Sequence, residues 1–412
     1  MREDGAKREP GSAEPGWKAS FAGTFVMQAL VAFLTLAMPV LGPLVTAAAG
    51  RPPEAIGTIS SLTALGTLWF LASGRPILER FGPLRSLQLG ALLSALGLAL
   101  AVSGSWSLVL LGAFAIGAGY GPSAPAGSDI LARTAPKGHR SLIFSAKQAA
   151  VPAGGVAAGL TLPLLAAHGG WHAALGASVL GAVVIVFLLQ PLRAGLDAGR
   201  DRRHRPMLAR IFSPKSLTAP FAGLAGRPRL VLVSYCGFGF ASVQGSIAAF
   251  AVTFLVERFR LPLGDAALGF TLMQAAGILA RILMGWIADR AGSAQATLAA
   301  LALVSSLVLA GLAAASAASS AVPAVALLGL AGFFAASWNG IVLSEVAALA
   351  RPGEIAAATA SATFFIFIGY SLAPLAFATL LRAVGSYALA FASLALVSLS
   401  VTAFLARARR HP

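Results

Sequence analysis

The chain has 412 residues, 58% of them hydrophobic and 11% charged, with a mean hydropathy of +0.83. These values exclude a string of water-soluble domains and describe a protein whose main solvent is lipid. The net charge of +16 raises nucleic acid as a partner, but no basic patch interleaved with aromatics accompanies it, so nucleic acid is not expected.

Residues 1–19 are polar and of mixed charge, and read as an N-terminal tail. The apolar run that follows is longer than the roughly 7–15 residues of a signal-peptide core, so the first helix is expected to stay in place although "TAAAG" near Ala49 has the look of a cleavage site. From there, runs long enough to cross a hydrocarbon core of about 30 Å recur to the end. Twelve helices are predicted, at 20–47, 56–77, 86–103, 107–133, 141–166, 172–190, 229–256, 265–288, 294–316, 322–349, 355–380 and 385–406. The expected fold class is all-α integral membrane. The longest polar stretch, 191–228 with "AGRDRRHRP" at its densest, reads as a solvated linker between a bundle at 20–190 and a second at 229–406, and 407–412 is a tail.

With the N-terminus inside, 24 of the 30 Lys and Arg fall on cytoplasmic segments and four, Arg51, Arg258, Arg260 and Arg382, on outer loops. That bias places both termini in the cytoplasm and explains the basic excess by topology. The expected location is a bacterial-type inner membrane. Cys236, the single cysteine, excludes an internal disulfide framework and reads as a small buried residue.

Polar landmarks repeat between the halves. "SDILARTAPKG" from Ser128 matches "SEVAALARPGE" from Ser344 at an offset of 216, and the same offset carries Gln28 onto Gln244. "LERFG" from Leu78 returns as "ADRAG" from Ala288.

Here the residues carry a family likeness. "GWIADRAG", Gly285 to Gly292, resembles the signature loop of the major facilitator superfamily, Gly-x-x-x-Asp-Arg-x-Gly. The first-half copy, "RPILERFGPLR" from Arg75, departs from it with Arg75 in place of the leading glycine and Glu79 in place of the aspartate, while acid, base and glycine remain at Glu79, Arg80 and Gly82. The resemblance implies two pseudo-symmetric six-helix bundles around a cavity that opens alternately to each side. It also implies a gating cluster of Glu79, Arg80 and Asp129, mirrored by Asp289, Arg290 and Glu345, and function as a monomer.

Two cations fall inside the spans. Lys147 in "FSAKQAAVPAGG" lies about six residues into helix 5, roughly 9 Å deep at 1.5 Å per residue, and Arg281 in "QAAGILARILMG" sits at similar depth in helix 8. None of the fourteen acids reaches that depth. Charges there must face the interior or water, so two cations without a resident anion suit a substrate that supplies one. The bland alternative is that both snorkel to the surface or bond carbonyls freed near Pro152. Gln274, seven residues before Arg281, shares its helix face. An arginine so placed in helix 8 resembles the carboxylate-binding arginine of the monocarboxylate and oxalate/formate exchanger branches, where a guanidinium holds a carboxylate through two hydrogen bonds.

Uncharged candidates for the cavity are Gln28, Gln148, Gln244, Tyr120, Tyr235, Trp338, Asn339 and Tyr370, residue types that at helix centres more often make interhelical contacts than ligand contacts. "GAGYGPSAPAG" in helix 4 and "VPAGG" in helix 5 resemble the Gly/Pro-rich packing and hinge segments of the superfamily, but the latter has Val151 before Pro152, which leaves the direction of transport open.

No phosphate-binding loop, no nucleophile and base at one depth and no His cluster with metal-ligand spacing is present, so neither an ATP-driven pump, an enzyme nor a cofactor is expected. The expected function is secondary transport of a small organic anion, a carboxylate, with H⁺ or Na⁺ as possible coupling ions. The rivals are proton-coupled efflux of hydrophobic or cationic drugs and a transporter-like receptor or sensor.

Overall fold

The computed structural model describes residues 15–136, 140–198, 200, 224–351 and 354–410, and these are α-helical with short 3-10 turns and no strand. Most of the predicted linker thus lies outside the described residues. Eleven described helices are long and apolar enough to cross a membrane. One of them, spanning Ala146–Leu196, is 51 residues long, and it accounts for the difference from twelve.

Within it the helix Ala150–Leu188 is interrupted at Gly170, whose φ of 76° and ψ of 168° are not helical. A straight 39-residue helix would run about 58 Å, nearly twice the hydrocarbon core. Instead the two arms fold back on each other. Ala153, Ala157 and Leu165 of the first arm and Ala177, Gly181 and Ile185 of the second line one apolar groove with Phe25–Phe33 of helix 1. These arms are helices 5 and 6.

Other boundaries shift for local reasons. Helix 1 is Trp17–Val40, followed by a short turn of helix at Gly42–Ala48, with Pro39 and Pro43 marking the division. Helix 5 breaks at Ala149, between Arg140–Gln148 and Ala150. Helix 4, predicted continuous, is two pieces, Trp106–Tyr120 and Ser123–Thr134. Helix 10 divides likewise into Val322–Ala335 and Asn339–Leu349. The offset of 216 maps Ser123 onto Asn339, so the second pieces begin at equivalent positions of the repeat.

Helices 2 (Ile56–Ser73), 3 (Pro83–Ala101) and 4 pack backbone against backbone through small residues. A Cβ on Gly117 would lie 1.7 Å from the Thr63 carbonyl oxygen, and one on Gly97 would lie 2.5 Å from that of Gly112. In the second half, helices 7 (Pro228–Phe259), 11 (Ile355–Val384) and 12 (Tyr387–Arg410) pack through larger aromatics, with Phe377 touching both Phe250 and Phe391, while helix 9 (Ala294–Ala315) meets helix 12 through serine hydroxyls bonded to backbone carbonyls.

The halves meet along two seams, helix 2 on helix 11 and helix 5 on helix 8, the last spanning Leu263–Ala291. The Ser371 hydroxyl donates to the Ser61 carbonyl at 3.1 Å, Arg382 reaches Glu54 at 3.4 Å, and Gly57 fits against Pro374, Ala378 and Phe250. These contacts close the end of the bundle away from the linker.

Candidate functional site

Between the halves lies a cavity of about 250 Å³. Eight of the ten sequence-derived binding candidates line it: Gln28, Tyr120, Gln148, Gln244, Gln274, Arg281, Asn339 and Tyr370. Three of them sit at helix breaks. Tyr120 ends the first piece of helix 4, Asn339 opens the second piece of helix 10, and Gln148 ends the first piece of helix 5.

Among the described residues Arg281 is the one basic side chain on this wall, and no Asp or Glu lines it. Its Nη1 donates to the backbone carbonyl of Gln148 at 2.8 Å, across the seam between halves. The Gln148 side chain in turn accepts from Gln28 Nε2 at 3.0 Å. Tyr120 and Tyr370, from opposite halves, line the same cavity as the guanidinium. Gln274 is accommodated because position 155 is glycine: a Cβ there would lie 2.0 Å from Gln274 Nε2. Three buried polar atoms of the lining residues, Gln28 Oε1, Ser60 Oγ and Arg281 Nε, have no hydrogen-bond partner among the described residues.

The remaining two candidates do not line the cavity. Lys147 is 2% exposed and turned away, between helices 4 and 5, where its Nζ donates to the Ser123 carbonyl at 3.2 Å and approaches that of Ala124 at 3.5 Å. Gly127 makes the room, since a Cβ on it would meet Lys147 Cε at 2.6 Å. Trp338, fully buried, stacks on Phe240 and donates from Nε1 to Gln244 Oε1 at 3.0 Å, so it positions a lining residue from behind. Tyr235, also considered from sequence, bonds Ser400 between helices 7 and 12.

Of the gating candidates, Glu79 and Asp129 line a separate pocket with Arg133 and Arg200. Glu79 pairs with Arg75 at 2.8 Å, and Asp129 with Arg133 at 3.3 Å. In the second half Arg290 lies over the Trp286 ring, 4.1 Å from its centroid. Arg80 and Glu345 are half-buried near the same end, and the Asp289 side chain lies outside the described residues.

Sequence reasoning missed two features. Ser60, Thr63 and Thr67 of helix 2 line the cavity, and their spacing of three and four residues marks a helix face. Asp197, fully buried after helix 6, accepts the N–H groups of Leu84 and Arg85 at 2.8 and 3.0 Å and so caps helix 3. Burial pushes its carboxyl above the usual range, against the backbone bonds and the nearby Arg193 and Arg200. No signal at that spacing of more than a hundred residues identifies such a cap.

Two helical bundles around a central cavity, whose largely apolar wall carries a few polar side chains, are the architecture of a polytopic membrane transporter. The model of the Major Facilitator Superfamily matches residues 20–374, and the chain belongs to that family. No curated protein matches it. Among solved structures it is similar to a bacterial homolog of the human lysosomal transporter Spinster in an inward-facing, unoccupied conformation, with 15% identity, 96% of both chains covered and a TM-score of 0.71. It is also similar to a POT family transporter in complex with a thioalcohol-conjugated peptide, with 14% identity, 94% of this chain and 95% of that one, and a TM-score of 0.74. The nucleoside transporter NupG is a third, with 13% identity, 93% and 99% coverage and a TM-score of 0.71. At these identities the likeness shows the fold.

Proposed function

We propose that this transporter is a secondary carrier of a small organic anion, a carboxylate, held at the cavity by Arg281. The observation that carries the reading is a guanidinium on the cavity wall with no acid among the residues that line it. A charge in so apolar a setting favours a ligand that supplies the opposite sign. The N–H groups left after the bond to Gln148 suit a carboxylate, and Gln28, Gln274, Asn339, Tyr120 and Tyr370 offer neutral partners for the rest of a ligand. Lys147, engaged with helix 4, supports the fold rather than the ligand.

The bundles at 20–190 and 229–406 rock about this site, in a bacterial-type inner membrane with both termini cytoplasmic. In that orientation the end sealed by helices 2 and 11 faces outward. The pocket of Glu79 and Asp129, with Arg290 and Glu345 opposite, belongs to the gate at the linker end. The carrier works as a monomer, and H⁺ or Na⁺ supplies coupling.

The test is thermal unfolding of the purified protein in detergent against mono- and dicarboxylates, inorganic anions and cationic drugs, alongside Arg281→Gln. A ligand that binds the native state raises its stability as RT ln(1 + [L]/Kd). Stabilisation by a carboxylate in wild type and not in the variant sustains the reading; stabilisation by hydrophobic cations alone replaces it with drug efflux.

A further inference from the structure

The bond from Arg281 to Gln148 has an unusual acceptor. In an unbroken helix the carbonyl of residue 148 accepts the N–H of residue 152. Residue 152 is proline and has no N–H, so that carbonyl is left open inside the membrane, where an unpaired backbone group is costly. The helix is interrupted at Ala149, and its ladder resumes with the Ala153 N–H on the Ala149 carbonyl at 3.0 Å. Arg281 of the other half fills the vacancy with its Nη1 at 2.8 Å.

We propose that Pro152 is a positioning residue for Arg281. By opening the Gln148 carbonyl it creates an acceptor that pins one arm of the guanidinium, fixing the plane of the group and leaving its other N–H donors for a ligand. Unlike a carboxylate, a carbonyl orients the guanidinium without neutralising it. The charge therefore stays available, and the same bond ties helix 8 to helix 5 at the depth of the cavity. The consequence for transport rests on the anion reading above, whereas the tie itself does not.

The two are separated by a double-mutant cycle on the purified, ligand-free protein. Pro152→Ala restores the N–H at 152, so helix 5 closes its own bond to Gln148 and competes with Arg281 for that carbonyl. The loss of Tm caused by Arg281→Gln is expected to shrink by roughly 2–4 °C in the Pro152→Ala background. Pro152→Ser, which restores the same N–H, gives the same shrinkage. Gln148→Ala, which keeps the carbonyl, preserves the coupling between positions 152 and 281. Additive losses with both Ala and Ser at 152 overturn the proposal, because a proline that merely bends helix 5 has no reason to couple to Arg281.

The same proteins are then titrated with acetate, lactate and benzoate. Where one of these stabilises wild type, its Kd is expected to rise about tenfold in Pro152→Ala, with the Arg281 charge still present; an unchanged Kd overturns the positioning role. If neither these nor the dicarboxylates of the panel above stabilise wild type, the anion reading fails, and the cycle still decides whether Pro152 holds Arg281.

Discussion

Two cations enter the apolar interior at similar depth, and their neighbours give them different work. Arg281 meets a cavity and one backbone carbonyl, whereas Lys147 meets the carbonyls of Ser123 and Ala124 in the gap left by Gly127. Sequence alone set both at one depth but left their direction open, because the facing helix, not the spacing along the chain, decides which way a side chain turns. Gln274 and Arg281, seven residues apart on one helix, were readable as a shared face for the opposite reason. Removing a hydrogen bond to a charged group costs about 1.5–3 kcal/mol. Arg281→Gln is accordingly expected to weaken carboxylate binding by about 10- to 100-fold, measured by ligand-dependent shifts in Tm. Lys147→Met is expected to keep that response and to keep or raise Tm, since an apolar side chain of similar volume removes an unpaired buried charge. Lys147→Ala leaves a cavity instead and is expected to cost about 2–4 kcal/mol.

The helices themselves were legible because hydropathy is a local signal, and the breaks within them are not written in it. Hydropathy marks neither Gly121–Pro122 in helix 4 nor Ser337–Trp338 in helix 10; the Gly/Pro-rich "GAGYGPSAPAG" gave a hinge signal for the first, and the second has no Gly-Pro pair to signal it. Each break nonetheless adjoins a lining residue, Tyr120 in the one case and Asn339 in the other. Helix 3 shows how one element depends on another far away in sequence. Its first N–H groups have no partner within the helix, and Asp197 supplies one from beyond helix 6. Replacing an N-cap acid by alanine costs about 0.5–2 kcal/mol. Asp197→Ala should therefore lower stability by about that amount in a thermal melt. Asp197→Asn should lower it less, because an amide oxygen still accepts a bond and burial already disfavours the charge.

At the scale of the whole molecule, a carrier must open the end that is closed here. The seal at that end is made of close apolar contacts and a few polar ones rather than a strong ion pair. Arg382 and Glu54 are 3.4 Å apart with the arginine side chain largely exposed, an arrangement worth at most about 1 kcal/mol. Tight fit between the halves does more. A Cβ on Gly57 would lie 2.4 Å from the Pro374 carbonyl oxygen and 2.6 Å from Ala378 Cβ, so helix 2 reaches helix 11 only because position 57 carries no side chain. Gly57→Val should therefore wedge the seam open and shift the population toward the opposite state, while leaving the interior of each bundle intact. A thiol placed at Thr63, which faces the cavity, reports the shift. With the native thiol at 236 replaced by alanine, Thr63→Cys should react slowly with a polar maleimide applied from the Glu54 side of sealed vesicles. Adding Gly57→Val should speed that reaction several-fold; an unchanged rate would mean that this seam does not control access.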